Sequence, residues 1–274
     1  MFAVGHVLHT LPDGKPVWGV TSLDNLIYVL RELSKQIEVY DKDSYKVQRC
    51  LTVDGLGAGN DMTACAHNCC AYISDQSKHC IHRVGLPHGT DVTNWPVNDK
   101  PTCISITDTH SVLVTCDEVS KIKEFTTDGK LLRQIQQPQD VVSLRHTIQL
   151  SSGEFLVCHG KPNDPVHRVC LIDSDGHTVK SFGGPKGSGS QQMNVPVQLA
   201  VDRNGFVFVA DLNNDRVLLL SPTLTFGREV LSGDQLKWKP LRLRIDSDRR
   251  RLYVAVNKLQ GDKLTAGRVV VVSI

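Results

Sequence analysis

Six short strand-like segments recur at nearly even spacing along this chain of 274 residues. Each is rich in aliphatic and aromatic residues and lies between turn-forming residues, as in "GFVFVAD" and "RRLYVAV". Successive gaps of 44, 41, 43, 52 and 45 residues separate one aligned position, which falls at Tyr28, Tyr72, Leu113, Leu156, Phe208 and Tyr253. A period of about 40–50 residues, with several short strands per unit, is typical of propeller blades. The sequence therefore predicts an all-β fold, a six-bladed β-propeller with four-stranded antiparallel blades.

The repeat predicts a single domain, 1–274, that is divided into six blades. The predicted boundaries are 15–57, 58–98, 99–139, 140–190, 191–236, and 237–274 together with 1–14. The sixth unit has only three strands, because the chain ends at "RVVVVSI". We expect the N-terminal segment "MFAVGHVLHT" to pair beside Arg268 to Ile274 as the fourth strand. This pairing would close the ring and leave no unpaired edge.

Charge and cysteine content restrict the class of protein. The chain has 31 basic and 29 acidic side chains, so no overall excess of charge directs it to nucleic acid or an anionic membrane. No apolar run of about 18 residues could span a bilayer, and the N-terminus lacks the pattern of a secretory signal. Nine cysteines without regular spacing favour a reducing compartment. We therefore expect a cytoplasmic protein that binds no membrane.

A cluster of cysteines and histidines, "CAHNCCAYISDQSKHCIHR", suggests a zinc site at first sight. Alignment with the fifth unit places Cys65 and Cys70 at core positions, where free cysteine behaves as a small apolar side chain. Cys80 and His82 fall on the third strand of the unit, about 9.6 Å from the first strand. Zinc ligands lie only about 2.0–2.3 Å from the metal. The cluster is therefore predicted to be structural, with a local metal site as the alternative.

The stretch "ADLNNDRV" in the fifth unit resembles the hallmark of NHL-repeat propellers. In that family an aliphatic strand ends in Ala-Asp, followed by two variable residues, Asn, one more residue, and Arg. Asp211, Asn214 and Arg216 match this pattern, and the other units match it only in part. A carboxylate at a strand end accepts loop amides and pairs with a nearby guanidinium, so we expect a structural motif. In this the chain is similar to the C-terminal propeller of tripartite-motif NHL proteins.

Loops that join the second and third strands of a blade, or one blade to the next, emerge on the same face of a propeller, called the top face here. Binding residues are common on loops that a rigid scaffold positions. Candidate binding residues on this face are Trp18, Arg31, Lys35, Lys78, His79, Lys121, His159, Lys161, His167, Arg168, Trp238 and Lys239. The face mixes basic and acidic groups, and such a surface suits a protein or peptide partner. We therefore expect a monomeric, non-enzymatic interaction module that binds its partner there.

Two other functions remain open at this stage. The resemblance to tripartite-motif NHL proteins implies that the top face can hold an RNA stem-loop, although neighbouring carboxylates dilute the basic field. Some six-bladed propellers are metal-dependent hydrolases or lyases that gather ligands at the central axis. The inner strands offer Asp61, His67 and His146 but no repeated ring of ligands. The sequence therefore predicts no catalytic residues, no metal and no cofactor.

Overall fold

Six four-stranded antiparallel sheets make up the computed structural model, which describes residues 5–135 and 137–274. This arrangement confirms the prediction of a six-bladed β-propeller. Apart from the strands, the described residues form one turn of 3-10 helix at Leu212–Asn214 and the short helix α1 at Gly233–Leu236. No helix in these two ranges is long and apolar enough to cross a membrane.

The strands follow one another in chain order, four to a blade. The N-terminal strand and blades 1 to 3 comprise β1 (His6–Thr10), β2 (Val17–Leu23), β3 (Leu26–Arg31), β4 (Gln36–Asp41), β5 (Val47–Thr52), β6 (Gly59–Cys65), β7 (Cys70–Asp75), β8 (Cys80–Gly85), β9 (Val92–Pro96), β10 (Cys103–Ile106), β11 (Val112–Cys116), β12 (Lys121–Phe125) and β13 (Leu131–Ile135). Blades 4 to 6 comprise β14 (Leu144–Gln149), β15 (Phe155–His159), β16 (Val166–Ile172), β17 (Thr178–Pro185), β18 (Pro196–Val201), β19 (Val207–Asp211), β20 (Arg216–Leu220), β21 (Phe226–Leu231), β22 (Lys239–Asp246), β23 (Arg251–Gln260) and β24 (Lys263–Ser273).

The first strand of every blade lies innermost. The innermost strands contact one another in a closed circle, from β2 through β6, β10, β14, β18 and β22 back to β2. Six clusters of buried apolar side chains lie between successive blades in the described residues. Apolar side chains on both faces of each sheet explain runs such as "VLLL" and "VVVV".

The ring closes through the N-terminal strand. Strand β1 pairs antiparallel with β24, and the register joins His6 to Ser273 and Thr10 to Val270. Leu11 follows β1, is only 1% exposed and donates its amide to the carbonyl of Val269. The predicted closure is therefore confirmed for the described part of the segment; its first four residues lie outside that part.

Candidate active site

Bulges in the innermost strands determine which residues face the propeller axis. The register of β2, β6, β14, β18 and β22 with the second strand of each blade skips one residue near the start of the innermost strand. A bulge bends its strand and redirects the next side chain. The residues that follow these bulges, with the equivalent Cys103 of blade 3, form a set that we call the axial ring: Gly19, Asp61, Cys103, His146, Gln198 and Arg242.

Asp61 is the centre of the axial ring and is 1% exposed. The Nε2 amide group of Gln198, from blade 5, donates to both carboxylate oxygens at 3.2 and 3.0 Å. Arg242 Nε, from blade 6, lies 3.2 Å from Oδ1. The backbone amides of Met62 and Ile104 also donate to the carboxylate. Burial raises the pKa of Asp61, while the charge of Arg242 and these donors oppose the rise.

The partners of Asp61 extend the network to blade 1 and strengthen its contacts within blades 2 and 6. Arg242 donates to the carbonyls of Trp18 at 2.9 Å and Asn60 at 2.6 Å, and its guanidinium lies 5.9 Å from the centre of the Trp18 ring. Gln198 accepts the backbone amide of Leu243 at 2.6 Å. The network therefore ties side chains or backbone of blades 1, 2, 3, 5 and 6 together at one end of the axis.

His146 belongs to the axial ring but has a different chemical state from Asp61. Its Nδ1 accepts the backbone amide of Leu199 at 3.4 Å, which places the ring proton on Nε2. Burial, and then the charge of Arg242, lower the pKa of His146 to about 3. The imidazole is therefore neutral near pH 7 and presents an N–H donor.

A cavity of about 510 Å³ lies along the axis beside the ring. His146 and Gln198 form part of its wall, together with residues further along the innermost strands and in the turns that leave them, including Asp108, Asp202 and Arg203. The cavity extends toward the ends of the innermost strands, and therefore toward the face opposite the top face. Pockets of a few hundred Å³ with convergent polar groups are typical ligand sites.

Arg244 is the unusual side chain of this wall. Its Nε is buried and has no hydrogen-bond partner among the described residues, and Nη2 donates to the carbonyl of Ser22 at 3.3 Å. Burial lowers the pKa of Arg244, yet arginine stays charged in proteins. Asp246 favours that charge, but its carboxylate is already paired with Lys42 Nζ at 2.6 Å. Arg244 therefore presents a cation to the cavity, and no carboxylate in the described residues pairs with it.

Three of the predicted top-face residues are buried. Arg31 pairs with Glu38 at 2.8 Å and donates to the carbonyls of Lys15, Gly267 and Pro12. His167 accepts the amide of Val195 at Nδ1 and lies 2.9 Å from the carbonyl of Lys161 through Nε2. His159 is fully buried, and neither ring nitrogen has a hydrogen-bond partner in the part of the chain that the structure describes.

The other predicted residues lie at or near the surface. Lys35, Lys78 and His79 are exposed. The remaining residues are partly exposed, and each has a partner: Lys121 (3.6 Å from Asp99), Lys161 (3.7 Å from Asp117), Arg168 (3.1 Å from Asp140), Lys239 (3.0 Å from Asp215), Trp238 (4.3 Å from Arg268) and Trp18 (5.9 Å from Arg242). The structure brings together four candidate residues of blade 4, His159, Lys161, His167 and Arg168. Trp238 and Lys239, which are adjacent in sequence, lie together elsewhere. None of the twelve residues lines the axial cavity, so their binding role stays a prediction.

The motif of the fifth blade forms a buried network around Asp211. This carboxylate accepts Asn214 Nδ2 at 2.7 Å, Arg216 Nε at 2.8 Å and the backbone amide of Asn194 at 2.7 Å. The Nη groups of Arg216 donate to the carbonyls of Ser188, Gly189 and Gln192. The network therefore fixes the loop that enters blade 5.

Arg244 was not among the residues predicted from the sequence. His146 was predicted only as a possible metal ligand, and no ligand type repeats from blade to blade. One signal was present: "PLRLRID" places two arginines two residues apart on an innermost strand, so both point to the same face of that strand. An innermost face is largely enclosed, and paired arginines there indicate a site rather than a solvated surface.

No protein-family model matches the sequence, and no curated protein is detectably similar to it. Solved structures do resemble the fold. Virginiamycin B lyase from Staphylococcus aureus has a TM-score of 0.65 at 11% identity, with 95% of each chain covered. Streptogramin B lyase has a TM-score of 0.65 at 12% identity, covering 96% of this chain and 86% of that one. The PQQ-bound aldose sugar dehydrogenase from Streptomyces coelicolor has a TM-score of 0.68 at 14% identity, covering 97% and 98%.

These similar structures are enzymes, and this finding contradicts the prediction of a non-enzymatic interaction module. The prediction was wrong because it required a repeated set of ligands at the axis. The axial site is built instead from single, unlike side chains, such as His146 and Arg244, which no repeat pattern displays. At these identities the likeness itself shows the six-bladed propeller fold.

Proposed function

We propose that this chain is an enzyme that acts on a small anionic substrate in the axial cavity. The observation that carries the proposal is the Arg244 guanidinium, which faces the cavity without a carboxylate partner. A cation in a desolvated site is costly unless an anion pairs with it. A carboxylate or another oxyanion of the substrate would supply this pair, and arginine binds such groups in a bidentate manner.

The lining of the cavity suits a lyase reaction, as in the two lyases of the same fold. In an elimination next to a carbonyl group, a base removes a carbon-bound proton and the electron pair moves onto the carbonyl oxygen. A double bond then forms as the leaving group departs. Arg244 and the Nε2–H of the neutral His146 can stabilise the charge on that oxygen, since donors placed at a developing oxyanion lower the barrier.

The proton acceptor in this proposal is Asp108. The cavity wall contains two carboxylates, and Oδ1 of Asp202 already accepts the turn amides of Asn204 and Phe206. Asp108 is exposed and has no hydrogen bond to another described residue, so its carboxylate is free to take a proton. His146 is a poor base because burial keeps its pKa low.

The quinone cofactor of the similar dehydrogenase does not fit this cavity. Pyrroloquinoline quinone is a flat tricarboxylate that needs several cations and planar side chains to stack on. The cavity wall has two arginines, Arg203 and Arg244, and Arg203 is already paired with Asp248 at 2.7 Å. Phe, Tyr and Trp are absent from the described wall. We therefore derive no redox step for this chain.

Binding of small carboxylates tests the proposal. Thermal unfolding is recorded with lactate, malate, succinate and citrate, and NMR then monitors the best-bound compound for turnover. We expect at least one compound to raise Tm in the wild-type protein and not in Arg244→Met. Arg203→Met, which removes an arginine at the same cavity that is already paired, should keep the increase. No increase for any carboxylate, or an equal increase in Arg244→Met, would overturn the proposal.

A further inference from the structure

Blades 2 and 5 hold equivalent buried carboxylates with different partners. Asp75 ends β7 as Asp211 ends β19, and the residue that pairs with it across the turn is Cys80 in blade 2 and Arg216 in blade 5. Arg216 gives Asp211 a cation at 2.8 Å. No arginine or lysine forms an ion pair with Asp75 in the described residues. Blade 2 therefore has the buried carboxylate without the fixed positive charge that blade 5 places beside it.

Two other metal-binding side chains surround Asp75. His82 Nε2 lies 3.2 Å from Asp75 Oδ2 and 3.5 Å from Cys80 Sγ. All three residues are more than nine-tenths buried. The second nitrogen of His82, Nδ1, is buried without a hydrogen-bond partner among the described residues. When the ring proton lies on Nδ1, the lone pair of Nε2 is free to bind a metal ion.

The distances fit the edges of a zinc tetrahedron. With Zn–S of about 2.3 Å and Zn–N and Zn–O of about 2.0–2.1 Å, tetrahedral angles place S and N about 3.6 Å apart and N and O about 3.3 Å apart. The two distances at His82 Nε2 differ from these values by about 0.1 Å. The set also suits zinc in its chemistry, because magnesium and calcium favour oxygen ligands whereas thiolate and imidazole favour zinc.

Asp75 is already held in the orientation of a metal ligand. Its Oδ1 accepts the amides of Ser77 and Lys78 and the hydroxyl of Ser77, and its Oδ2 accepts the amide of Gly57 at 2.6 Å. Hydrogen bonds of this kind orient the ligands of metal sites and tune their basicity. They also attach the loop that enters blade 2 to the end of β7.

We propose that Asp75, Cys80 and His82 form a zinc site that fixes the turn of blade 2, where blade 5 uses an arginine. Water is the fourth ligand. Zn²⁺ binds the Cys80 thiolate, the Asp75 carboxylate and the neutral His82 imidazole. One proton, that of the Cys80 thiol, passes to solvent as the ion binds. The site is structural and lies apart from the axial cavity, whose wall contains none of the three residues.

Cobalt substitution tests the site directly. Protein freed of metal with a chelator is titrated with Co²⁺ and then with Zn²⁺, while the thiolate-to-cobalt absorption in the near ultraviolet and the visible bands of tetrahedral cobalt are recorded. We expect one equivalent of Co²⁺ to produce both signals and one equivalent of Zn²⁺ to abolish them. A wild-type titration without thiolate-to-cobalt absorption would overturn the proposal.

Variants assign the signal to these residues. Cys80→Ser should abolish the thiolate absorption, and His82→Gln should weaken Zn²⁺ binding at least tenfold. The matched control is His177→Gln, because Asp173, Asp175 and His177 form the other group of close potential ligands in the described residues, and there His177 is exposed. Circular dichroism of each variant shows whether it folds. If folded Cys80→Ser keeps the absorption, or if only His177→Gln loses the metal, the assignment to blade 2 is wrong.

Discussion

Arg242 and Asp61 belong to blades 6 and 2, and their charged groups lie 3.2 Å apart at the centre of the propeller. Both side chains are almost completely buried. The pair has further donors and acceptors from Gln198, Trp18 and Asn60, so the desolvated charges are compensated. One ion pair therefore holds together blades that are separated along the chain by more than 180 residues.

Replacing Arg242 by Met should destabilise the protein strongly. The substitution leaves the Asp61 carboxylate buried without a cation, and loss of one partner of a buried pair costs about 3–5 kcal/mol. Urea unfolding monitored by circular dichroism measures the change. Asp61→Asn combined with Arg242→Met should lose less than the sum of the single variants, because no isolated charge remains. Arg203→Ala, at an exposed pair with Asp248, should change stability by less than about 1 kcal/mol. Additive losses in the double variant would contradict this account of the axial ring.

Arg244→Met should leave the folded protein at least as stable as the wild type. The substitution removes a half-buried cation that no described carboxylate pairs with, and it keeps most of the apolar stem of the side chain. We expect a gain on the order of 1 kcal/mol in denaturant unfolding, in a buffer without carboxylates or phosphate. A loss above about 1 kcal/mol would instead assign Arg244 to the scaffold through its contact with Ser22.

Leu11→Ala should destabilise the closed ring. Leu11 is 1% exposed in the cluster that joins blades 6 and 1, and truncation of a buried leucine costs about 2–5 kcal/mol. Val7→Ala is the control, because Val7 is 42% exposed in the same N-terminal region and its truncation should cost less than about 0.5 kcal/mol. Denaturant unfolding measures both changes. Equal losses in the two variants would show that β1 stabilises the ring by backbone pairing alone.

The free energy of unfolding should decrease as the pH is lowered below 6.5, the ordinary pKa of histidine. Burial, and then the charge of Arg168, lower the pKa of His159 from 6.5 to about 4, against an opposing effect of Asp140. Between these values the unfolded chain binds a proton that the folded chain does not, so the free energy of unfolding decreases as the pH decreases. The slope for one such histidine is about 1.4 kcal/mol per pH unit.

A variant of His159 isolates this effect. His159→Gln should reduce the slope of unfolding free energy against pH between pH 4 and 6.5 by the contribution of one histidine, while His146 continues to contribute. The prediction fails if His159→Gln has the same slope as the wild type.

The sequence predicted the blades because each repeat carries its own local pattern. Val197, Leu199 and Val201 alternate along one innermost strand, and turn residues follow them in "RNG". The pairing of β1 with β24 was predictable for the same reason, since a repeat with three strands needs a fourth. Both inferences depend on contacts within one sheet, which local periodicity reports.

The axial site was not predictable because it depends on contacts between sheets. Asp61 and Gln198 meet across the axis although they lie 137 residues apart. A one-residue bulge before five of the six ring positions decides which residue faces the axis, and alternation alone does not reveal it. The same limit applies to Asp75, Cys80 and His82. The sequence separated Cys80 and His82 from Cys65 correctly, but their spacing gave no sign that Asp75 would turn toward them.

The pairing of β1 with β24 also governs how the ring can assemble. His6 pairs with Ser273, although all the other blades lie between them in the sequence. Every other sheet can form from neighbouring segments, but the sixth needs a strand that precedes the first blade. Contacts between residues so far apart in the chain slow folding, and until they form the outer edge of β24 stays open to other strands. The seam of the ring is therefore the step at which a folding chain is most exposed to misassembly.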